Sequence, residues 1–314
     1  MLNFPQEYFK AEEICGFQVD VTMKTVWAAE LEVLCEIAIV CEKYDIPWYM
    51  AYGSLLGAVR HEGFIPWDDD IDICLLREDY LRLLEVLPEE LPEGYIVRSS
   101  LLETGYPAYQ SCVVNSDSIS IEPGHLQKFH GCPFIVGVDI FPIDELPKDE
   151  AIIERKKRAF QLLRKAAQIV REEPDVTTLE LIAYELKRDF DIQLFADDVY
   201  LPETEDEVNG MVSDFWNLAN QVAMDSEGIE MSDRLCVFLS YVKWGSTYEK
   251  EWFRETKELT FEGFGVPVPG EYDKVLTAIY GDYHVLRKGS TAHDYPFYKK
   301  QLEELRQRVA QMSQ

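Results

Sequence analysis

Between Gly53 and Ile73 the chain joins a Gly-Ser turn to four aspartates in five positions, Asp68-Asp69-Asp70-Ile71-Asp72, across a linker that carries Arg60 and His61. Carboxylates this close repel one another. At ~4 Å two like charges cost about 4 kcal/mol even at an effective dielectric of 20. A fold that holds them together requires a compensating cation. One apolar residue separates Asp70 from Asp72, so on a strand both carboxylates face one way while Ile71 and Ile73 enter the core. Side-by-side carboxylates on a strand suit Mg²⁺, a hard cation that takes oxygen ligands.

The flanking sequence argues against a solvated acidic loop. The cluster runs straight into the apolar alternation Ile71–Leu76, and the Gly-Ser turn follows a strand-like Trp48-Tyr49-Met50-Ala51-Tyr52. Apolar residues at helical spacing predict a helix over 21–45, with Glu30, Glu32, Glu36 and Lys43 between them. Asp45-Ile46-Pro47 ends it. A short helix is expected from Ser54 to about Arg60, with Ser54 as its N-cap and free N–H groups suited to a phosphate. Arg77-Glu78-Asp79-Tyr80 opens another helix. Short β-rich pieces follow, of which Phe134–Phe141 sets Asp139 between Val138 and Ile140, on a strand expected beside Asp70 and Asp72 in a mixed sheet. Taken by itself, Asp139 reads equally well as a strand-end turn residue.

Residues 148–230 are helical, charged and poor in glycine, with a basic run at Arg155-Lys156-Lys157-Arg158 that reads as a solvated helix face. Beyond them, Thr260–Phe264 is strand-like, Pro267 and Pro269 punctuate, and a helix over Glu271–Tyr280 ends at Gly281. The expected organisation is a catalytic core at 1–147, a helical insertion or lid at 148–230, and a C-terminal part at 231–314 that completes the core.

A net charge of −28 over 314 residues disfavours nucleic acid and anionic membrane as broad partners. Local cations, Arg60, Arg77, Arg98, Arg287 and Lys288, leave a nucleotide substrate open. Seven cysteines without a Cys-x-x-Cys pair read as reduced core residues of a cytoplasmic protein. No apolar run reaches the ~20 residues of a membrane span, and the first residues lack the features of a secretory signal.

The run from Tyr52 to Tyr80 closely resembles the signature of the LicD family, within the nucleotidyltransferase-fold superfamily. Gly137–Asp144 is similar to a second segment of that family, and Val266 through Tyr283 to His293 to a third. The resemblance implies an α/β (α+β) fold, a mixed sheet flanked by helices with a helical insertion. It also implies a phosphotransferase that moves a phosphorylated alcohol, most often phosphocholine from CDP-choline, to a glycan hydroxyl of the teichoic acid or lipopolysaccharide kind, releasing CMP. Fukutin-related proteins perform the related reaction with CDP-ribitol. On this basis Asp68, Asp70, Asp72 and Asp139 are expected to bind Mg²⁺ or Mn²⁺. Gly53 and Ser54 are expected to hold phosphate oxygens, and Arg60 and Arg77 to offset phosphate charge. His293 matches a family histidine, although the family often has two before the proline and only one stands here. The base for the acceptor hydroxyl is either a carboxylate of the cluster or His293. The partners implied are a CDP-alcohol donor and a glycan or lipid-linked glycan acceptor, with no nucleic acid and membrane contact limited to the periphery of the inner face.

Trp67, Tyr106 and Tyr109 lie near the motifs, where aromatics could meet a quaternary ammonium, but ordinary core packing accounts for them. Rival readings are a nucleotidyltransferase that adds NMP to a small molecule or protein, and a non-catalytic nucleotide-binding module. An EF-hand is set aside, because its loop requires glycine and glutamate where Ile73 and Asp79 stand.

Overall fold

The computed structural model describes residues 1–102, 106–285 and 295–312. In chain order, a hairpin of β1 (Glu12–Ile14) and β2 (Phe17–Val19) leads into α1 (Val21–Tyr44). Asp20 caps α1 by accepting from Met23 N at 2.8 Å, and Asp45 closes it in the left-handed region, two residues before Pro47. There follow β3 (Tyr49–Met50), α2 (Tyr52–His61), β4 (Ile71–Leu76), α3 (Arg77–Glu90), β5 (Ile96–Arg98), β6 (Ser111–Val114), α4 (Pro123–Lys128) and β7 (Gly137–Pro147). Next come α5 (Glu150–Glu172), α6 (Val176–Phe190), α7 (Glu205–Met224), β8 (Met231–Cys236), α8 (Phe238–Trp244) and β9 (Tyr248–Glu249). The hairpin β10 (Thr256–Phe261) and β11 (Phe264–Pro269), α9 (Tyr272–Tyr280) and α10 (Lys299–Met312) complete the chain.

The fold is mixed α/β, as expected. Its central sheet has the order β3-β4-β7-β6-β5, with β8 on β7 and β9 on β8. β3 and β4 are antiparallel, pairing Tyr49 with Cys74 and Met50 with Ile73. Side chains alternate as the sequence implies: Ile71, Ile73, Leu75, Val138 and Ile140 are almost fully buried, whereas Asp72 and Asp139 lie on the other face.

Two compact units share the chain. The first comprises Met1–Val97, Cys112–Phe141 and Trp252–Gln314; the second comprises Arg98–Ser111 and Pro142–Glu251. In the first, Val26, Trp27 and Ile37 of α1 are buried, as are Tyr80, Leu83 and Leu87 of α3, which packs on α1 and β4. α1 is enclosed nearly all round. Lys24, Glu30 and Glu32, expected on a polar face, are buried with the apolar residues. Lys24 survives burial by pairing with Glu12 at 2.5 Å, and Glu32 by accepting from Leu2 N at 2.6 Å and meeting His130 Nε2 at 2.7 Å.

β10 and β11 extend the strand expected at Thr260–Phe264 into a six-residue antiparallel ladder from Thr256↔Pro269 to Phe261↔Phe264. Glu262 and Gly263 form its turn, both with positive φ. Pro267 and Pro269, read from sequence as punctuation, lie within β11. A two-stranded sheet leaves each strand an outer edge, where a missing N–H costs no ladder bond.

The second unit packs α5, α6 and α7 around Phe160, Leu163, Leu179, Val212 and Phe215. Thr204 and Glu207 form a reciprocal capping box at the start of α7. The basic run 155–158 is solvated at Arg155 and Arg158, as the sequence suggests, but not at Lys156. Lys156 is buried, and its Nζ donates to the carbonyls of Ala223, at 3.1 Å, and Asp225, where α7 ends. Arg155 lies 4.9 Å over the Phe190 ring, and Arg158 pairs with Glu185 at 2.7 Å. Lys157 pairs with Glu154 at 3.7 Å, so all four cations of the run have partners inside the unit. Tyr109 is core here, against Phe160 and Trp216.

None of the seven cysteines forms a disulfide. Five are buried, Cys35 is half-buried and Cys15, expected in the core, is exposed. Among the described residues no helix is long and apolar enough to cross a membrane.

Candidate active site

The site lies wholly in the first unit, where β3 turns into α2 beside β4. Tyr52 adopts φ +43 at this turn. The helix starts two residues earlier than expected, so Ser54 is not its N-cap. Ala51 occupies the cap position, and Leu55 N to Ala51 O, at 2.9 Å, is the first helical bond. Gly53 and Ser54 therefore stand in the first turn, where backbone N–H groups have no intrahelical acceptor. The Ser54 hydroxyl serves differently from the sequence reading. Its Oγ accepts from Asp72 N at 2.8 Å, while Asp72 O accepts from Ala51 N at 2.9 Å. Both backbone polar groups of Asp72 are thus fixed to the Gly-Ser turn.

The linker between turn and cluster is sterically determined. α2 ends at Glu62 in the left-handed region. Phe64 stacks on Trp27, with ring centroids 4.6 Å apart, and packs on Phe261 at 4.9 Å. Phe64 N donates to Glu262 Oε1 at 3.1 Å, and Glu262 N to Glu62 O at 2.8 Å. Trp27 Nε1 donates to Asp68 O at 3.1 Å. Phe297 N donates to Asp69 Oδ2 at 2.6 Å. The β10–β11 turn and α1 therefore hold the loop that carries the aspartates.

Asp68, Asp69 and Asp70 each present an oxygen within 4.8 Å of the others. They lie in the loop just before β4, while Asp72 is in the strand. Loss of hydration raises the Asp72 carboxyl well above its usual range, and the charges of Asp70, Asp139 and Asp68 add to it. The carboxylates expected from sequence, Asp68, Asp70, Asp72 and Asp139, thus act on one another. Asp69, not singled out from sequence, joins them.

A Cβ on Gly53 would stand 2.3 Å from Asp68 Oδ2, so glycine is what lets that carboxylate lie against the turn. Gly53→Ala is expected to displace the Asp68 side chain. Mn²⁺ affinity should fall by about tenfold or more. Because the neighbour is a movable side chain, the thermal midpoint should shift by no more than a few degrees, as differential scanning fluorimetry would show.

The other expected residues are placed as follows. Arg60 is half-buried in the last turn of α2, beside His61, whose pKa is lowered by burial and by the Arg60 charge. Arg77 is the first residue of α3, past the far end of β4 from Asp72, with its guanidinium 5.3 Å over Tyr80. His293 lies outside the described residues, as do Arg287 and Lys288.

Two further residues feel the charge of the cluster. Tyr280, 40% exposed at the end of α9, has its phenol pKa raised by burial and by Asp72, Asp68 and Asp70. Glu30 of α1 is 1% exposed, and its carboxyl is raised by burial and then by Asp70, Asp69, Asp68 and Asp72. Tyr280 falls within the third segment that resembles the LicD family, without being singled out there as a site residue, and Glu30 carries no sequence signal. Glu30 sits in an amphipathic stripe, and Tyr280 ends a helix more than 200 residues further on.

The donor set suits a hard divalent cation: three carboxylate oxygens from one loop within 4.8 Å of one another, with Asp72 and Asp139 on the neighbouring strands β4 and β7.

Residues 45–157 match the family model described as LicD/FKTN/FKRP, nucleotidyltransferase domain. Over 269 residues the chain is 26% identical to the lipopolysaccharide cholinephosphotransferase LicD of Haemophilus influenzae, covering 81% of this chain and 88% of that protein. An uncharacterised protein of Rickettsia prowazekii is 47% identical over 55 residues, 18% of this chain and 21% of that one. A second uncharacterised protein, of Rickettsia typhi, is 43% identical over 56 residues, 18% of each. The family model covers the segment from β3 into α5, which contains the Gly-Ser turn, the aspartate loop and Asp139, so residues 45–157 carry a domain of the LicD type.

Proposed function

We propose that this transferase moves a phosphorylated alcohol, phosphocholine by preference, from a CDP-linked donor to a hydroxyl of a cell-surface glycan or its precursor, releasing CMP. The observation that supports it most is the convergence of Asp68, Asp69 and Asp70 beside Asp72 and the Gly53–Ser54 turn. The likeness to a lipopolysaccharide cholinephosphotransferase over most of both chains favours phosphocholine and a glycan acceptor.

Phosphoryl transfer requires positioning and charge neutralisation more than covalent participation. Asp68, Asp69, Asp70, Asp72 and Asp139 hold Mg²⁺ or Mn²⁺, which when bound neutralises charge on the donor's pyrophosphate oxygens. The N–H groups of Gly53 and Ser54 face phosphate oxygens at the start of α2. Arg60 adds positive charge from the end of that helix. The acceptor oxygen forms a bond to the phosphorus that carries the alcohol, the bond from that phosphorus to CMP breaks, and CMP leaves. The acceptor's proton passes to a carboxylate of the cluster or to His293. A nucleotide-linked donor implies a cytoplasmic reaction, at the inner face of the membrane where the acceptor is lipid-linked.

The test is CMP release from CDP-choline, CDP-ethanolamine, CDP-ribitol and CDP-glycerol, with and without a lipopolysaccharide acceptor. The expected result is release from CDP-choline that needs Mg²⁺ or Mn²⁺ and stops with EDTA. Absence of both binding and release with every CDP-alcohol, together with pyrophosphate release from a nucleoside triphosphate, would establish NMP transfer in its place.

A further inference from the structure

The helix α1 runs past the acidic loop, with Trp27 Nε1 bonded to Asp68 O at 3.1 Å. Glu30 stands one turn further along, at i+3, on the same helix face. It is 1% exposed, and no hydrogen-bond donor reaches its buried Oε2. Leaving a buried carboxylate oxygen without a donor is costly. The charges felt most strongly there belong to Asp70, Asp69, Asp68 and Asp72, and all are negative. Lys24, on the same helix, is committed to Glu12 and lies over the rings of Tyr8 and Trp27. Glutamate gains a partner here when a cation enters from outside the chain.

We propose that Glu30 contributes a ligand oxygen to the divalent cation held by Asp68, Asp69 and Asp70, reaching it from the α1 side of the loop. The assignment rests on the metal-dependent reading above, and it adds to the loop and strand aspartates a ligand from a helix outside the segment 45–157 that matches the family model. Glu30 is a residue that holds and positions the cation, and it need not touch the donor.

The experiment is titration of the whole protein with Mn²⁺ alone, followed by calorimetry. It is paired with Tb³⁺ luminescence lifetimes in H₂O and D₂O, which report the waters on the bound ion. Glu30→Gln is expected to bind Mn²⁺ about 10–100-fold more weakly and to hold Tb³⁺ with an extra water. Metal-free, the variant should keep its circular dichroism spectrum and melt at or above the temperature of the unaltered protein. A merely structural role would do the reverse, lowering the melting temperature and leaving the affinity alone. Glu30→Asp keeps the charge with a shorter reach, and weakened Mn²⁺ binding is expected there as well, whatever the folding of the glutamine variant. Affinity within about twofold of the unaltered protein, in either folded variant, overturns the assignment and leaves the metal reading standing. Absence of Mn²⁺ binding by the unaltered protein overturns both.

Discussion

Asp72→Asn is expected to lower CMP release by about a hundred- to a thousandfold while making the metal-free protein more stable. The loss of activity follows from removing charge at the point where β4, the Gly-Ser turn and Asp139 meet. The gain in stability follows from the sign of the carboxyl's shift. Burial, then Asp70, Asp139 and Asp68, raise its pKa in the folded chain, whereas an unfolded aspartate titrates near about 3.9. An acid raised on folding carries its proton in both states below the unfolded value, and there it costs nothing. As pH climbs above that value the unfolded chain ionises first, and stability is lost progressively. Asparagine removes this loss. The backbone bonds of Asp72 to Ala51 and Ser54 do not depend on its side chain, so the turn persists. Thermal unfolding in EDTA should show the variant melting higher at neutral pH by on the order of a few °C, with the gap closing towards pH 4. A variant that melts lower at neutral pH would mean that the carboxylate has a stabilising partner in the metal-free fold.

Gly57→Ala is expected to be the most damaging of the glycine substitutions around the site. A Cβ there would meet Gly63 O at 2.3 Å, Ile65 N at 3.3 Å and Gly63 C at 3.4 Å. All three are backbone atoms, so no rotamer change relieves the clash. Overpacking costs about 1–3 kcal/mol where side chains can adjust, and here the upper end is expected. The displaced segment is Gly63–Ile65, which carries Phe64 between Trp27 and Phe261 and leads into the aspartates. Stability and Mn²⁺ affinity should therefore fall together, in contrast to Gly53→Ala, where affinity alone falls. Denaturant unfolding with and without Mn²⁺ separates the two patterns. A Gly57→Ala protein as stable as the parent would show that the loop runs elsewhere.

The aspartate loop and the Gly-Ser turn were legible in the sequence because their chemistry is local. Repulsion between neighbouring carboxylates and the period of a strand are properties of a short window. Glu30 was hidden because a helix period records alternation and cannot tell a solvated stripe from one covered by a second layer. In α1 the hairpin residue Glu12 meets Lys24, and Leu2 and His130 meet Glu32, so Lys24, Glu30 and Glu32 are buried where the pattern placed them in water. The basic run 155–158 misled at Lys156 for a related reason. Four cations on a charged helix look solvent-facing until the end of α7, 67 residues away, is found at Lys156. Ser54 was identified as important, but its acceptor role towards Asp72 N depends on how β4 pairs with β3, which no short window encodes. Pro267 and Pro269 read as breaks because proline is judged against strand interiors, and β11 belongs to a two-stranded ribbon.

The clamp of Glu262 on Phe64 spans 198 positions of sequence, and this sets the order in which the molecule can be made. During synthesis the aspartate loop leaves the ribosome long before the hairpin that secures it. At about 5–20 residues per second, the interval is roughly 10–40 s. Through that time the nascent chain carries a concentrated anionic segment whose neighbours from β10 and β11 do not yet exist. The aspartate loop is therefore translated well before the hairpin turn that secures it.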